Sequence, residues 1–438
     1  MLRKTLTIAL AFVGLLVGAG FASGQEVVQY FIAFGFPGLL GVLVAAVLMV
    51  IAGGVLFQLG SYYLADEHYT VFRNVTHPVV SKILDAATVL TLFCIGFVML
   101  AGAGSNLEQQ FNTPTWVGSL IMVAMVIVSG FLNVEKVTRV ISAITPLIVI
   151  AVLLAGAITL MGMPSDLAAL ESVALAQSPA SGVAGNWFLS AINYTAMALM
   201  LGLSMILVIG GNHFSPKAAG VGGLLGGLLF SVLLGVLAFV IFFNMDKVAG
   251  MDFPLLGVFD AMHPTVGLVV SIIIYLMIYN TAIGMFYALG KRLAAGNQAR
   301  FTPIFVGVTL VGFLVSFAGF TDLIGWVYPL IGYVGMFMLL VMFGSWVKNR
   351  GLIREENERR ERLARLAEAK LDPAEDFDDA DRREVRSLAR ASEVDARELW
   401  QSVQEEVAEE LHRDPECTFD LSDHPELDPN LAVSRVKG

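Results

Sequence analysis

Long apolar blocks alternate with short polar segments over the first 347 residues, after which the pattern changes to mixed charge. A block of about 17 to 25 apolar residues is long enough to cross a bilayer as a helix. Ten such stretches occur, at 5–34, 37–63, 82–104, 115–132, 138–162, 187–211, 218–243, 265–290, 302–319 and 323–347. Turn-forming clusters separate several of them, including Phe36-Pro37-Gly38, Asn112-Thr113-Pro114 and Ser178-Pro179-Ala180-Ser181-Gly182. The pattern predicts an all-α polytopic membrane protein, with a ten-helix domain over 1–347 and a charged, partly helical tail over 348–438. The segment 163–186 divides the spans five and five. An odd number per half inserts the two halves in opposite orientations, as inverted repeats require.

The first block is itself interrupted. Gly18-Ala19-Gly20-Phe21-Ala22-Ser23-Gly24-Gln25-Glu26 puts three glycines and then a polar run in its middle. Glycine weakens a helix interior. Lipid offers unwound backbone no hydrogen-bond partner, so such a break survives only inside protein or beside a polar cavity. Transporters use these breaks to turn freed carbonyls and half-helix ends toward substrate and coupling ions. Two plainer readings compete. Arg3, Lys4 and the run Leu6 to Val17 followed by small residues also describe a secretory signal peptide, which the many later spans oppose. Ser23 and Glu26 also have capping-box spacing. A capped second half-helix would turn its positive end to the cavity, ready for an anion such as a carboxylate.

Composition agrees with the pattern: 56% of residues are hydrophobic and 15% charged, against roughly 25% charged in soluble domains. Residues 348–438 hold 16 Lys/Arg and 25 Asp/Glu, a net of −9, while residues 1–347 hold 11 and 12. The acidic balance therefore belongs to the tail and argues against nucleic acid or an anionic lipid surface as its partner. With a cytoplasmic N-terminus, Arg3, Lys4, Arg73, Lys82, Lys136, Arg139, Lys217, Lys291, Arg292 and Arg300 fall inside and Lys247 alone outside. This bias predicts a multi-pass protein of the cytoplasmic (inner) membrane with both termini in the cytoplasm. Cys94 and Cys417 make no disulfide framework, and His213 and His263 lack metal-ligand spacing. Without a nucleophile motif, phosphate loop or carboxylate pair, an enzyme is disfavoured and no cofactor is expected beyond a coupling sodium ion or proton.

Five plus five spans with a broken first helix resemble the LeuT-type fold of the amino acid, polyamine and organocation (APC) transporter superfamily. The string Val17 to Glu26 resembles, more specifically, the signature of the YkvI family of uncharacterised bacterial membrane proteins. The resemblance covers residues 1 to about 347 and supplies fold and transport class but no substrate. In the superfamily the first and sixth spans unwind at mid-membrane, and the third and eighth line the other walls. The resemblance thus implies a substrate site from Gly20, Ala22, Ser23, Gly24, Gln25 and Glu26 in span one, Thr88 and Thr91 in span three, and Asn193, Tyr194 and Thr195 in span six. Span six carries a weaker break signal, ending in Met200-Leu201-Gly202. An ion site is implied from the Gly18 and Phe21 carbonyls with Asn280 and Thr281 of span eight. Ala282 stands where the superfamily has a second adjacent hydroxyl, which puts sodium in question. Glu26 is the alternative, as a proton carrier or an ammonium ligand. The structural alternatives are a packed Tyr194, a Thr281 bonded to its own helix and a Glu26 that only caps.

These expectations converge on a proton- or sodium-coupled secondary transporter of a small amino acid or related amine, working by alternating access in a lipid bilayer. The rival reading is a ligand sensor on the same fold that signals through its tail. Asp85 begins a stripe with Thr88, Thr91 and Cys94; it either pairs with Arg3 or Lys4 as a gate or ends its helix in solvent. Pro146 and Pro329 fall inside spans five and ten, where proline kinks helices. In the tail, residues 354–371 predict a charged helix that continues the last span, and Asp376 to Asp381 a flexible acidic run. Glu393 to His412 predicts a helix capped by Ser392. Its stripe of Leu399, Val403, Val407 and Leu411 beside Trp400 has to pack on something, whether the tail itself, the loops or a cytoplasmic protein partner.

Overall fold

A computed structural model describes residues 2–132, 144–164, 166–183, 185–295, 297–372, 375–413, 417, 419–424 and 426–427. Among the described residues, seven helices are long and apolar enough to cross a membrane. They are α4 (Phe36–Tyr62), α6 (Pro78–Phe111), α10 (Trp187–Gly211), α11 (Pro216–Phe243), α14 (Pro264–Ala294), α15 (Gln298–Ser316) and α16 (Phe320–Leu371). Two shorter apolar helices join them, α7 (Thr115–Gly130) and α8 (Thr145–Met161). The expected start of span five, with Lys136 and Arg139, lies outside the described residues.

The first span is broken as its glycines require. Helix α1 (Leu2–Leu16) stops, Gly18 is extended, a single turn α2 (Ala19–Ser23) follows, and Gly24 turns left-handed at φ 79°. A second half-helix α3 (Gln25–Tyr30) then leads into a 3-10 turn, Ile32–Phe34. The sixth span departs from expectation. Helix α10 runs unbroken, capped by the Asn186 side chain on Phe188 and Leu189 amides. Near its suspected break, Gly202 faces Ile206 and Leu16 rather than a gap in the helix, so one glycine among apolar residues does not suffice to unwind it.

Close packing explains how the bundle assembles. Helices α4 and α11 make the most extensive contact in the molecule. A Cβ on Gly53 would come within 2.7 Å of the Gly223 carbonyl, so small residues here let the two backbones touch. Short helices fill the loops: α5 (His68–Val75), α9 (Leu167–Leu175), α12 (Met245–Val248) and α13 (Pro254–Met262).

Helix α16 runs on past the apolar stretch to Leu371, as the charged sequence of 354–371 predicts. Two tail helices follow, α17 (Asp379–Arg390) and α18 (Ala396–Arg413). The acidic run is more ordered than expected: Asp378 and Asp381 form a capping box for α17. Asp395, rather than Ser392, caps α18 through the Arg397 and Glu398 amides. The stripe of α18 packs as a second hydrophobic cluster, in which Leu399, Val403, Val407 and Leu411 meet Leu363 and Leu366 of α16. Leu64 and Phe214, from two loops of the membrane bundle, belong to the same cluster.

Candidate site at the broken first helix

The break gathers the polar side chains of the bundle interior around Glu26. The expected capping box does not form. Ser23 Oγ donates to the Gly20 carbonyl at 2.7 Å and accepts the Gln25 amide at 3.1 Å, so Ser23 serves the turn. Released from capping, the Glu26 side chain lies back against Gly20, where a Cβ would overlap its carboxyl group. Gly20 is thus required by contact and Gly24 by conformation. Glu26 is 5% exposed, yet it makes no hydrogen bond or ion pair among the described residues. Among the described residues, Tyr30, Tyr194 and Tyr328 stand within electrostatic reach of it.

Around this carboxyl the aromatic groups form a wall. The Tyr194 ring lies 5.6 Å from Tyr30 and 4.9 Å from Phe31, and Tyr30 Oη donates to Asn193 Oδ1 at 3.3 Å. Asn193 Nδ2 in turn donates to the Pro329 carbonyl at 3.0 Å, which ties α10 to α16. Asn193 is thus a bridge from Tyr30 to Pro329, and Tyr194 a ring packed against Tyr30 and Phe31. Thr195 donates to the Ala191 carbonyl of its own helix at 3.0 Å.

On the side of the bundle away from the chain termini, α3 is tied to the start of α16 and to the loop before α13. Gln25 Nε2 donates to Thr321 Oγ1 at 3.1 Å, and Thr321 Oγ1 donates to Asp252 Oδ1 at 2.5 Å. One turn on, Gln29 Nε2 donates to the Thr321 carbonyl at 3.0 Å. Both amide oxygens, Gln25 Oε1 and Gln29 Oε1, are buried and unpartnered. Phe253 stacks on Phe320 beside this network at 5.0 Å between ring centres. Sequence reasoning missed Gln29, Asp252 and Thr321; the one-turn spacing of Gln25 and Gln29 on an apolar half-helix is the available signal.

The expected ion site is less complete. Helix α14 does pack on α2, which brings spans one and eight together. Yet Thr281 Oγ1 donates to the Met277 carbonyl of its own helix at 3.1 Å, and Thr88 and Thr91 bond likewise to Leu84 and Ala87, each at 2.9 Å. The Gly18 and Phe21 carbonyls accept the Ala22 and Gly24 amides at 3.0 and 3.2 Å. Asn280 is half-buried on α14, and Ala22 is wholly buried. On the face that carries the termini, Asp85 pairs with Arg292 rather than Arg3 or Lys4, and His68 Nε2 lies 3.3 Å from its carboxyl. His68 Nδ1 reaches Ser204 Oγ on α10 at 2.9 Å. His263 caps α14 through the Thr265 amide, a structural role.

No family model matches the chain. It is 26% identical over 332 residues to the uncharacterised membrane protein YkvI of Bacillus subtilis (strain 168), covering 75% of the chain and 92% of YkvI. It is also 26% identical over 341 residues to the uncharacterised protein YyaD of the same organism, covering 76% and 94%. Among solved structures it is similar to Mhp1 in an inward-facing conformation, with a TM-score of 0.52, 12% identity, and coverage of 79% of the chain and 77% of Mhp1. MhsT in complex with L-phenylalanine gives a TM-score of 0.56 at 17% identity over 91% of the chain and 98% of MhsT. The chain is thus similar in sequence to YkvI and YyaD, and it shares with Mhp1 and MhsT the LeuT-type fold.

Proposed function

We propose that the protein is a secondary transporter that binds a cationic solute at Glu26 and moves it across the membrane by alternating access. The observation that carries this reading is the Glu26 carboxyl: buried, seated against Gly20, and without a hydrogen-bond or ion-pair partner among the described residues. A carboxylate at membrane depth needs a proton or a cation beside it. Broken helices put such groups at the substrate site of LeuT-type proteins, and the likeness to Mhp1 and MhsT supports transport.

Within the expected range of amino acid or related amine, the geometry favours the amine. The carboxylate seat imagined at the start of α3 is occupied in part, because the Gln25 amide already donates to Ser23. The polar groups left bare near the break, Glu26 and the two glutamine oxygens, are acceptors. An ammonium group satisfies them, and the tyrosine faces add cation–π attraction. A zwitterionic amino acid, the class MhsT holds in its complex, fits if its carboxylate finds another donor. A proton or sodium ion is the coupling cation. On this reading the bundle has ten spans arranged five and five, the termini are cytoplasmic, and the far-side network is the closed outer gate.

Reconstitution in liposomes tests the proposal. Pools of amines and of amino acids are added under a sodium gradient and then a pH gradient while current is recorded. A saturable current from one pool, lost in Glu26→Gln, is expected. Currents that Glu26→Gln leaves unchanged contradict the assignment of Glu26.

A further inference from the structure

The tail reaches the moving parts of the bundle through one residue. Helix α1 ends in a break, and before it α1 packs along α11, where the buried Ile8 and Phe12 side chains lie against Gly222 and Gly226. Lys4, in the first turn of α1, places Nζ 2.7 Å from Glu406 and 2.8 Å from Glu410, one turn apart on α18. The same Nζ lies 5.1 Å from the centre of the Phe214 ring, in the loop between α10 and α11. Glu406 also accepts the Phe214 amide at 2.9 Å and faces His213 Nδ1 at 3.3 Å.

Behind this grip the tail is anchored far more deeply. Arg360, 1% exposed, donates to the Ser61 and Tyr62 carbonyls, both at 2.8 Å, and to the Phe214 carbonyl at 3.1 Å. Glu356 holds Arg360 at 2.7 Å and accepts Ser392 Oγ at 2.5 Å. The loops after α4 and α10 are thus fixed to the tail by buried, fully bonded groups and by the shared apolar cluster. The clamp of the tail on α1 is the weaker of its two attachments, since Glu410 is half exposed and its ion pair is open to solvent screening.

We propose that α18 is a latch on the first helix: the Lys4 clamp on Glu406 and Glu410 binds the terminal half of α1 to the ends of α4, α10 and α11 as one body, and releasing it frees α1 to swing about its glycine break. The inference rests on the transport reading only for its consequence, that the state of the tail would gate access to Glu26 from the terminal face. Its structural content is independent of any substrate. An ion, a modification or a protein that neutralised the two glutamates would act as the release signal.

The test needs no ligand. In the full chain with Cys94→Ser and Cys417→Ser, spin labels are placed at Leu6→Cys on α1 and Leu293→Cys on α14, both positions being exposed. Distances are measured by pulsed electron resonance in lipid nanodiscs. One narrow distribution is expected for the parent and for Lys4→Arg. The pair Glu406→Gln with Glu410→Gln, and separately Lys4→Gln, should each raise the population of displaced α1 by about threefold. Lys4→Gln leaves the tail surface untouched, so a tail that misfolds in the glutamine pair does not remove the test. Distributions identical to the parent in both variants overturn the latch and leave the transport reading standing. Failure of every pool in liposomes, with the distances shifted as expected, does the reverse.

Discussion

Two glutamates are buried in this chain to nearly the same degree, and they are treated in opposite ways. Glu356, 1% exposed, is surrounded by partners: Arg360, Arg359 and the Ser392 hydroxyl. Burial pulls the Arg360 guanidinium down from its ordinary value, and Glu356 works to hold its charge. Glu26, 5% exposed, has none of this and rests against a glycine and aromatic rings. A buried charge is costly unless paired, and a chain able to pair one so completely leaves the other bare at the break of a membrane helix. Complete satisfaction marks a structural group. On the proposed reading, the missing partner marks a place where one arrives from outside.

The strongest way to break this contrast is to remove the partner of Glu356. Arg360→Met removes the buried partner of Glu356, which keeps Arg359 and Ser392, together with the donor to the Ser61, Tyr62 and Phe214 carbonyls, and should cost about 3 kcal/mol, the low end for half a buried pair. Detachment of the tail, read as faster proteolysis within α18 at unchanged detergent solubility of the bundle, checks it. Next in size, Gly20→Ala drives a methyl group into the Glu26 carboxyl, and should cost about 1 to 3 kcal/mol as overpacking. It should also weaken cation binding as Glu26→Gln does, because the carboxyl has to leave its seat. A thermal shift together with ligand affinity separates the two effects, and normal affinity in Gly20→Ala would show that the seat is unimportant.

A smaller effect concerns the terminal face. Burial lowers the pKa of His68, against the opposing bond to Asp85, so the folded protein favours neutral imidazole. The unfolded segment binds the proton more readily, and stability is lost as pH falls through the ordinary histidine value of about 6.5. Amide protection factors in residues 68–75, which remove the intrinsic slowing of exchange in acid, should therefore fall below that pH by no more than a severalfold factor, and His68→Gln should flatten the dependence.

How much of this was legible in the sequence follows from where each interaction is encoded. The first break was visible because Gly18, Gly20 and Gly24 sit in a few consecutive turns, and Glu26 because it is a lone acid in an apolar block. The unbroken sixth span was not, since Asn193-Tyr194-Thr195 looks the same whether its polar atoms face a gap or reach Pro329 and Ala191. The far-side network joins Gln25 to Thr321, 296 residues apart, and such pairings leave no local trace. Glu356 and Arg360 show only the one-turn spacing common to any charged helix. Their burial depends on loops near residues 61 and 214, which no pattern in the tail foretells.

The most direct test of Glu26 is to count protons when a cation binds. A purified protein in weakly buffered detergent, with a pH indicator and an amine that supports current in liposomes, should release about one proton per bound amine as the carboxyl exchanges one partner for another. Glu26→Gln should release none and bind at least tenfold more weakly, as expected for a lost charged contact. Equal affinity and equal release in Glu26→Gln would show that the bare carboxyl is a structural oddity and that the cation, if any, binds elsewhere.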